Sequence, residues 1–177
     1  MIPNAQENVE DIAESAKLGR AVRSHGPYRV LFGNAELEYR SAIIPDPVPT
    51  GRQLLDAAGA LPIEEHLIFQ LLRSGLLEEL RPDETTDLRK SGVERFLIFR
   101  NDRSFRFELD GRVFEWGGTL ISGLTLKKLA QVDLTTYGVW LEVRGAEDEP
   151  IPDNKLVNLA APGVERFFTG IVRTTEG

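Results

Sequence analysis

Hydrophobic and polar residues alternate along two separate stretches of the chain. Tyr28, Val30 and Phe32 alternate with Arg29 and Leu31, and a similar alternation runs over 105–109. A period of two residues predicts a half-buried β-strand in each place. Each stretch is followed by a second short alternating segment, so each predicts a β-hairpin. We expect Gly33-Asn34 to form the first hairpin turn, and Asp110-Gly111 to form a type I′ turn in the second.

The chain carries an internal repeat. The pentapeptides Gly92-Val93-Glu94-Arg95-Phe96 and Gly163-Val164-Glu165-Arg166-Phe167 are identical. Similarity continues upstream, where Leu37 matches Phe114, Thr50 matches Thr125 and Leu67 matches Val139. The offset between matched positions shrinks along the chain, as short loop deletions would cause. We therefore interpret the chain as two diverged copies of one unit.

Each copy predicts the same order of elements. After the hairpin comes a short helix, behind Thr50 in the first copy and behind Thr125 in the second. Two more strands and a final strand follow, with His66–Leu71 and Val139–Val143 as the third strands. A helix that crosses one face of a mixed sheet gives an α+β fold. We expect one domain over 27–102, a second over 103–173 and a tail over 174–177.

The segment over 1–26 belongs to neither copy. Val9, Ile12, Ala13 and Ala16 recur at helical spacing. Two interpretations stay open for this segment, namely a frayed amphipathic tail and a helix that docks on a partner.

Composition narrows the class of protein. The 177 residues include no cysteine, which removes disulfides, thiolate metal sites and a cysteine nucleophile. A net charge of −7 argues against nucleic acid or an anionic membrane as partner. No apolar run suggests a membrane helix and no signal peptide is apparent, so we expect a cytoplasmic protein.

The order of elements resembles the β-grasp fold of ubiquitin. His66-Leu67-Ile68-Phe69 is similar to the Arg-Leu-Ile-Phe strand of ubiquitin, and the tandem arrangement with Thr50–Leu55 resembles the bacterial multiubiquitin family. The resemblance implies two tandem ubiquitin-like domains that act as a protein modifier in operons linked to phage defence. It also implies four kinds of partner: an activating-enzyme-like protein, a conjugating-enzyme-like protein, a JAB-type deconjugating peptidase and a target protein.

A modifier of this kind is a substrate of its pathway and needs no catalytic side chain, cofactor or metal. It needs a tail with a reactive terminal carboxylate. We expect Gly177 to be that end, because a residue without Cβ leaves its carbonyl open to nucleophiles. Arg173, Thr174, Thr175 and Glu176 would form the recognised tail, although Glu176 replaces the first glycine of ubiquitin's Gly-Gly ending.

Two residues are candidates for partner binding. Strand alternation leads us to expect Leu67 and Phe69 in the core and Ile68 on the surface, as for the corresponding isoleucine of ubiquitin. Trp140 is its expected counterpart in the second copy, either as an exposed anchor or covered by another part of the chain.

The remaining residue patterns do not match a metal site or a phosphate-binding loop. His25 and His66 lie far apart without metal-ligand spacing, and Gly117-Gly118 lacks the lysine of a phosphate-binding loop. Two functions from different classes therefore remain. One is a modifier conjugated through Gly177, and the other is a tandem β-grasp adaptor that is never conjugated.

Overall fold

The computed structural model describes residues 8–90 and 93–172. They fall into two compact units, one of residues 8–34, 38–90 and 93–103, and one of residues 35–37 and 104–172. Each unit has its own main sheet, with a helix packed on one face of it.

The first unit is built on a six-stranded sheet. In chain order its elements are β1 (Glu10–Asp11), α1 (Ile12–Leu18), β2 (Tyr28–Gly33), β3 (Tyr39–Ile44), α2 (Gly51–Ala57), a 3-10 helix (Ile63–Glu65), β4 (His66–Leu72), β5 (Leu77–Leu80) and β6 (Val93–Arg100). The strands are ordered β1-β2-β6-β4-β5, and β3 also pairs with β2. Strand β6 is parallel to β2 and antiparallel to β4.

Helix α2 is positioned by its capping residue and its apolar face. Thr50 is the N-cap and forms a capping box with Gln53, as the sequence predicted for Thr50. Leu54 and Leu55 are fully buried and belong to the core cluster between the helix and the sheet. Gly51 lies so close to the chain after β5 that a Cβ there would stand 2.4 Å from the carbonyl oxygen of Arg81. The absence of a side chain at residue 51 therefore allows the helix to begin against the sheet.

From residue 8 onwards, the N-terminal segment is part of the first unit, and the predicted short helix is present as α1. Its apolar face packs within its own unit, so the helix is neither a frayed tail nor free to dock that face on a partner. Strand β1 pairs in parallel with β2 at Tyr28, and Ile12 of α1 lies in the main core cluster. Helical spacing identified the helix, but it could not show what the apolar face packs against.

A buried carboxylate holds this segment in place. Glu10 accepts hydrogen bonds from the side chains of Ser15, Arg20 and Arg23. Burial alone would raise the pKa of Glu10, but these three partners outweigh it and lower the pKa. The segment is therefore attached by polar bonds as well as by its apolar face.

The second unit repeats the plan with fewer strands in its main sheet. Its elements are β7 (Phe105–Leu109), β8 (Arg112–Trp116), β9 (Leu120–Ser122), α3 (Gly123–Ala130), β10 (Tyr137–Leu141), β11 (Glu149–Pro150), β12 (Leu156–Asn158) and β13 (Glu165–Ile171). Five strands form a sheet in the order β11-β10-β13-β7-β8, and β9 and β12 form a separate pair. The last strand β13 is parallel to β7, as β6 is to β2. This arrangement confirms the α+β prediction of two tandem β-grasp domains.

Strand pairing confirms the alignment of the two first hairpin strands, and the helix caps correct the alignment of the helices. Phe32 lies opposite Phe96, and Leu109 lies opposite Phe167, so these two pairs are equivalent. The N-cap of α3 is Ser122 and not Thr125, so Ser122 is the equivalent of Thr50. The match of Thr50 with Thr125 is therefore wrong, and most of the change in offset occurs before the helices.

The two hairpin turns explain most of this change in offset. Asp110 and Gly111 have φ values of 50° and 77°, which agrees with the predicted type I′ turn. In the first unit, Gly33 is still in β2, and the turn is a longer loop closed by the Asn34 amide donating to the Glu38 carbonyl at 3.2 Å. The prediction of a tight Gly33-Asn34 turn is wrong, because the loop has more residues than a type I′ turn.

The longer loop also changes which residues of the two copies are equivalent. Leu37 adopts a φ of 57° inside this loop, whereas Phe114 lies within strand β8. The match of Leu37 with Phe114 is therefore wrong.

Candidate recognition surface and C-terminal strand

Ile68 is a core residue, and the expectation that it is exposed is wrong. Its relative exposure is 1%, and it belongs to the cluster packed around Leu54. It lies between Ile98 on β6 and Leu80 on β5. This pairing directs its side chain to the helix-covered face of the sheet. The run from His66 to Leu72 is apolar on both faces, so alternation alone could not decide which face is which.

The adjacent position, Phe69, occupies the opposite face of the sheet. Phe69 is fully buried and meets Phe99 edge to face, with ring centroids 5.7 Å apart. Its partner across the strands is Leu97, which follows Phe96 in β6 as Phe168 follows Phe167 in β13. Phe168 pairs in turn with Trp140. Trp140 is therefore the counterpart of Phe69 and not of Ile68.

Trp140 lies on the face of its sheet opposite to α3 and stacks on Phe168. The two ring centroids are 5.8 Å apart and the planes differ by 12°. Trp140 is half-buried, and Phe168 has 36% of its surface exposed. An aromatic pair of this kind is typical of a protein-binding anchor, because it offers a large rigid apolar area.

Two glycines make room for the Trp140 ring. A Cβ on Gly138 would stand 3.1 Å from the ring, and a Cβ on Gly170 would stand 3.3 Å from it. The half-exposed side chain of Val172 borders Gly138. We call Trp140, Phe168, Gly138, Gly170 and Val172 the Trp140 surface.

Sequence reasoning found Trp140 but missed the rest of this surface. Phe168, Gly170 and Val172 occupy every second position at the end of the chain, which is the signal of one strand face.

Charged residues border the Trp140 surface. A depression of about 850 Å³ lies beside Phe168 and is lined by Glu142, Arg144, Asp148 and Arg166. Arg166 also lies 3.3 Å from a carboxylate oxygen on the neighbouring strand β7. The depression is lined by both acidic and basic side chains. It therefore offers hydrogen-bond donors and acceptors to a partner, without selecting a partner of one charge.

The last strand is fixed to the second unit up to the point where the tail begins. The carboxylate of Asp110 accepts hydrogen bonds from the amide and the hydroxyl of Thr169, both at 2.8 Å. The amide of Val172 donates to the carbonyl of Thr136 at 2.8 Å. The predicted tail residues lie outside the described residues; they are Arg173, Thr174, Thr175, Glu176 and Gly177.

The histidines show no sign of a metal centre. The Nδ1 atom of His66 is 2.7 Å from the carbonyl oxygen of Pro62. Within residues 8–90 and 93–172, no group of three or more metal-ligating side chains is close enough to hold an ion. None of the helices in these ranges is both long and apolar enough to cross a membrane.

In each unit the first strand of the hairpin is parallel to the last strand, and a helix packs on one face of the sheet. These features place the chain among the ubiquitin-like proteins of the β-grasp fold. A family model described as Multiubiquitin matches residues 37–101 and again residues 105–170. The two matches cover most of the chain, and the chain belongs to the multiubiquitin family. No curated protein matches it.

Proposed function

We propose that this chain is a protein modifier that is attached to target amines through the carboxylate of Gly177. The supporting observation is the asymmetry between the two units. Strand β6 ends at Arg100 and β7 begins at Phe105, so the first unit has no free end. Strand β13 ends at Ile171, and the chain continues to a terminal glycine. In this proposal the second unit is the donor, through Gly177.

The chemistry requires three acyl transfers after activation. The Gly177 carboxylate attacks the α-phosphate of ATP and releases pyrophosphate, which gives an acyl adenylate. A thiolate of the activating-enzyme-like partner then displaces AMP, and the acyl group passes to a thiol of the conjugating-enzyme-like partner. A target amine finally displaces that thiol, and an isopeptide bond replaces the thioester. Glycine suits every step, because no Cβ crowds the carbonyl carbon.

The remaining parts of the proposal concern partners and setting. A JAB-type peptidase would hydrolyse the isopeptide bond and return the free carboxylate. The pathway would operate in the cytoplasm and serve antiphage defence, as the resemblance to the bacterial family implies. In this scheme the chain supplies the acyl group and its partners supply the catalysis.

The Trp140 surface is the proposed recognition site for these enzymes. Its strand β13 leads directly into the tail, so a partner that holds Trp140 and Phe168 also holds the start of the tail. The tail over 173–176 would then extend from that surface towards the catalytic site of the partner.

The test is a thioester assay with the activating-enzyme-like partner and ATP. Gly177→Val should abolish the thioester, because a β-branched terminus crowds the carbonyl that must be attacked. Asn154→Val, an exposed loop change in the same unit, should leave the yield unchanged. Equal yields for the wild type and Gly177→Val would contradict the proposal.

The alternative is an adaptor that binds partners without conjugation, and the stacked Trp140 and Phe168 pair favours it. Trp140→Ala would then weaken partner binding at least tenfold, while Gly177→Val would leave binding unchanged. Conjugation predicts that both changes reduce thioester formation, so the pair of variants separates the two functions.

A further inference from the structure

A pocket of about 210 Å³ lies in the first unit between the N-terminal segment and the start of β6. Its apolar lining includes Ile12, Ala16, Val22 and Val93. Val22 and Val93 pack against the main core cluster, to which Ile12 belongs. The floor is therefore part of a packed core and provides a fixed apolar surface.

The rim of this pocket is cationic. Arg20, Arg73, Arg89 and Lys90 line it, and no acidic residue is among its described lining residues. This is unexpected on a chain whose net charge is −7. The cluster therefore opposes the charge of the rest of the protein.

Two of the four cations have anionic partners. Arg20 donates to Glu10 at 2.8 Å, and Arg89 donates two hydrogen bonds to Asp87, each of 2.9 Å. The bonds from Arg89 are the main reason that the pKa of Asp87 falls to about 2. Asp87 neutralises Arg89, whereas Arg20 shares the single carboxylate of Glu10 with Arg23; both rim arginines are held in place by these bonds.

Arg73 and Lys90 are the two cations of the rim that have no hydrogen-bonded carboxylate among the described residues. Both are exposed, and neither side chain forms a hydrogen bond or a close ion pair with any of residues 8–90 and 93–172, although Lys90 is near enough to Asp87 to help lower the pKa of that carboxyl. Two such cations beside an apolar floor match a ligand that has carboxylates next to an aliphatic group.

We propose that this pocket binds an acidic linear peptide of a partner protein, with one aliphatic side chain on the floor and flanking carboxylates against Arg73 and Lys90. The pocket is smaller than the roughly 300–1,000 Å³ of sites that enclose whole small molecules, so one side chain suits it better. A second pocket of about 330 Å³ shares Lys90 and is also lined by Gln70 and by Asp87, whose charge Arg89 neutralises. Because Lys90 and Val93 line both pockets, an extended peptide bound in one can also contact the other.

Charge and shape together disfavour other ligands. A phosphate or sulfate ion would use the cations but leave the apolar floor empty. Nucleic acid would meet repulsion from the net charge of −7 away from this pocket. The combination of apolar floor and charged rim is used fully only by an acidic peptide with a central aliphatic residue.

The test uses an array of labelled pentapeptides and the full chain, without ATP or partner enzymes, so it is independent of conjugation. Asp or Glu occupies the four outer positions, and the centre is Leu, Ile, Val, Gly or Lys. Fluorescence anisotropy at low salt should show binding of the aliphatic-centred peptides, with at least tenfold weaker binding of the glycine-centred and lysine-centred ones. A high salt concentration should weaken all binding, because it screens the exposed cations.

Two variants and a matched control complete the experiment. Arg73→Glu and Lys90→Glu should each weaken binding at least tenfold, while Arg81→Glu, an exposed change in the same unit, should leave it unchanged. Amide NMR spectra establish that the variants are folded. Three results would overturn the proposal: no binding by any aliphatic-centred peptide, equal binding by glycine-centred peptides, or equal loss in the Arg81 variant. Full competition by inorganic phosphate or by a short oligonucleotide at equal concentration would also overturn it.

Discussion

The substitution Ile12→Ala tests whether the N-terminal segment is part of the first domain. Ile12 is 1% exposed and belongs to the core cluster that includes Tyr28 and Leu54. Buried isoleucine to alanine changes cost about 2–5 kcal/mol, depending on how far the site can collapse. Truncation of Ile12 would leave a cavity. The pairing of β1 with β2 and the hydrogen bonds of Glu10 hold the segment in place around it. Collapse is therefore limited, and we expect a loss of about 3 kcal/mol.

Urea denaturation followed by amide hydrogen exchange measures this loss in each domain separately. For a slope of about 2 kcal/mol/M, a loss of about 3 kcal/mol lowers the midpoint by about 1.5 M. Both tryptophans, Trp116 and Trp140, lie in the second domain, so their fluorescence reports on that domain. Exchange protection of β2 and β4 amides reports on the first.

The matched control is Leu18→Ala on the same helix. Leu18 is 64% exposed, so its truncation should change the unfolding free energy by less than about 0.5 kcal/mol. If Ile12→Ala were as mild as Leu18→Ala, the segment would be a loosely attached tail and the packing argument would be refuted.

Two further predictions concern other parts of the fold. Gly51→Ala should destabilise the first domain by about 1–3 kcal/mol, because the new Cβ would stand 2.4 Å from the Arg81 carbonyl oxygen. The control is Arg52→Ala at the neighbouring exposed position, which should cost less than about 0.5 kcal/mol in the same urea experiment. The carboxyl of Asp133 should titrate at a pKa of about 2 by NMR, because hydrogen bonds from the side chain and amide of Thr135 and from the amide of Thr136 stabilise its charged form. A lowered folded pKa means that its stabilising contribution is present above the unfolded pKa of about 3.9 and is lost as pH falls through about 2, so Asp133→Asn should remove that part of the acid sensitivity. An ordinary pKa for Asp133, or unchanged acid sensitivity in the variant, would contradict this.

The sequence predicted the elements whose signals are local. The Thr50 cap and the Asp110-Gly111 turn follow from the chemistry of those residues, and both occur where expected. The repeat itself predicted two units of one fold, since identical pentapeptides lead into both final strands.

Features that depend on which strands pair in the folded protein could not be predicted from local sequence signals. Ile68 lies in a strand that is apolar on both faces, so only its pairing with Ile98 and Leu80 decides its direction. The helix of the N-terminal segment was visible, but its packing partner was not.

The burial of one lysine was also not predicted from the sequence. Lys127 is 6% exposed, and its ammonium group is held by the Leu134 carbonyl at 2.8 Å and by Asp153 at 2.6 Å. Its two partners lie in separate loops, so no local pattern indicates that this lysine is buried.

Conjugation through Gly177 is tested most directly by identifying the bond it forms. Trypsin cleaves after Arg173, so a conjugated target should carry the Thr174–Gly177 tetrapeptide on a lysine side chain. The measurement is mass spectrometry of tryptic peptides from cells that express the chain together with its activating-enzyme-like and conjugating-enzyme-like partners. We expect lysines with this remnant in the wild type and none in Gly177→Val. Intact conjugation machinery with no remnant-bearing lysine in the wild type would contradict the proposed function.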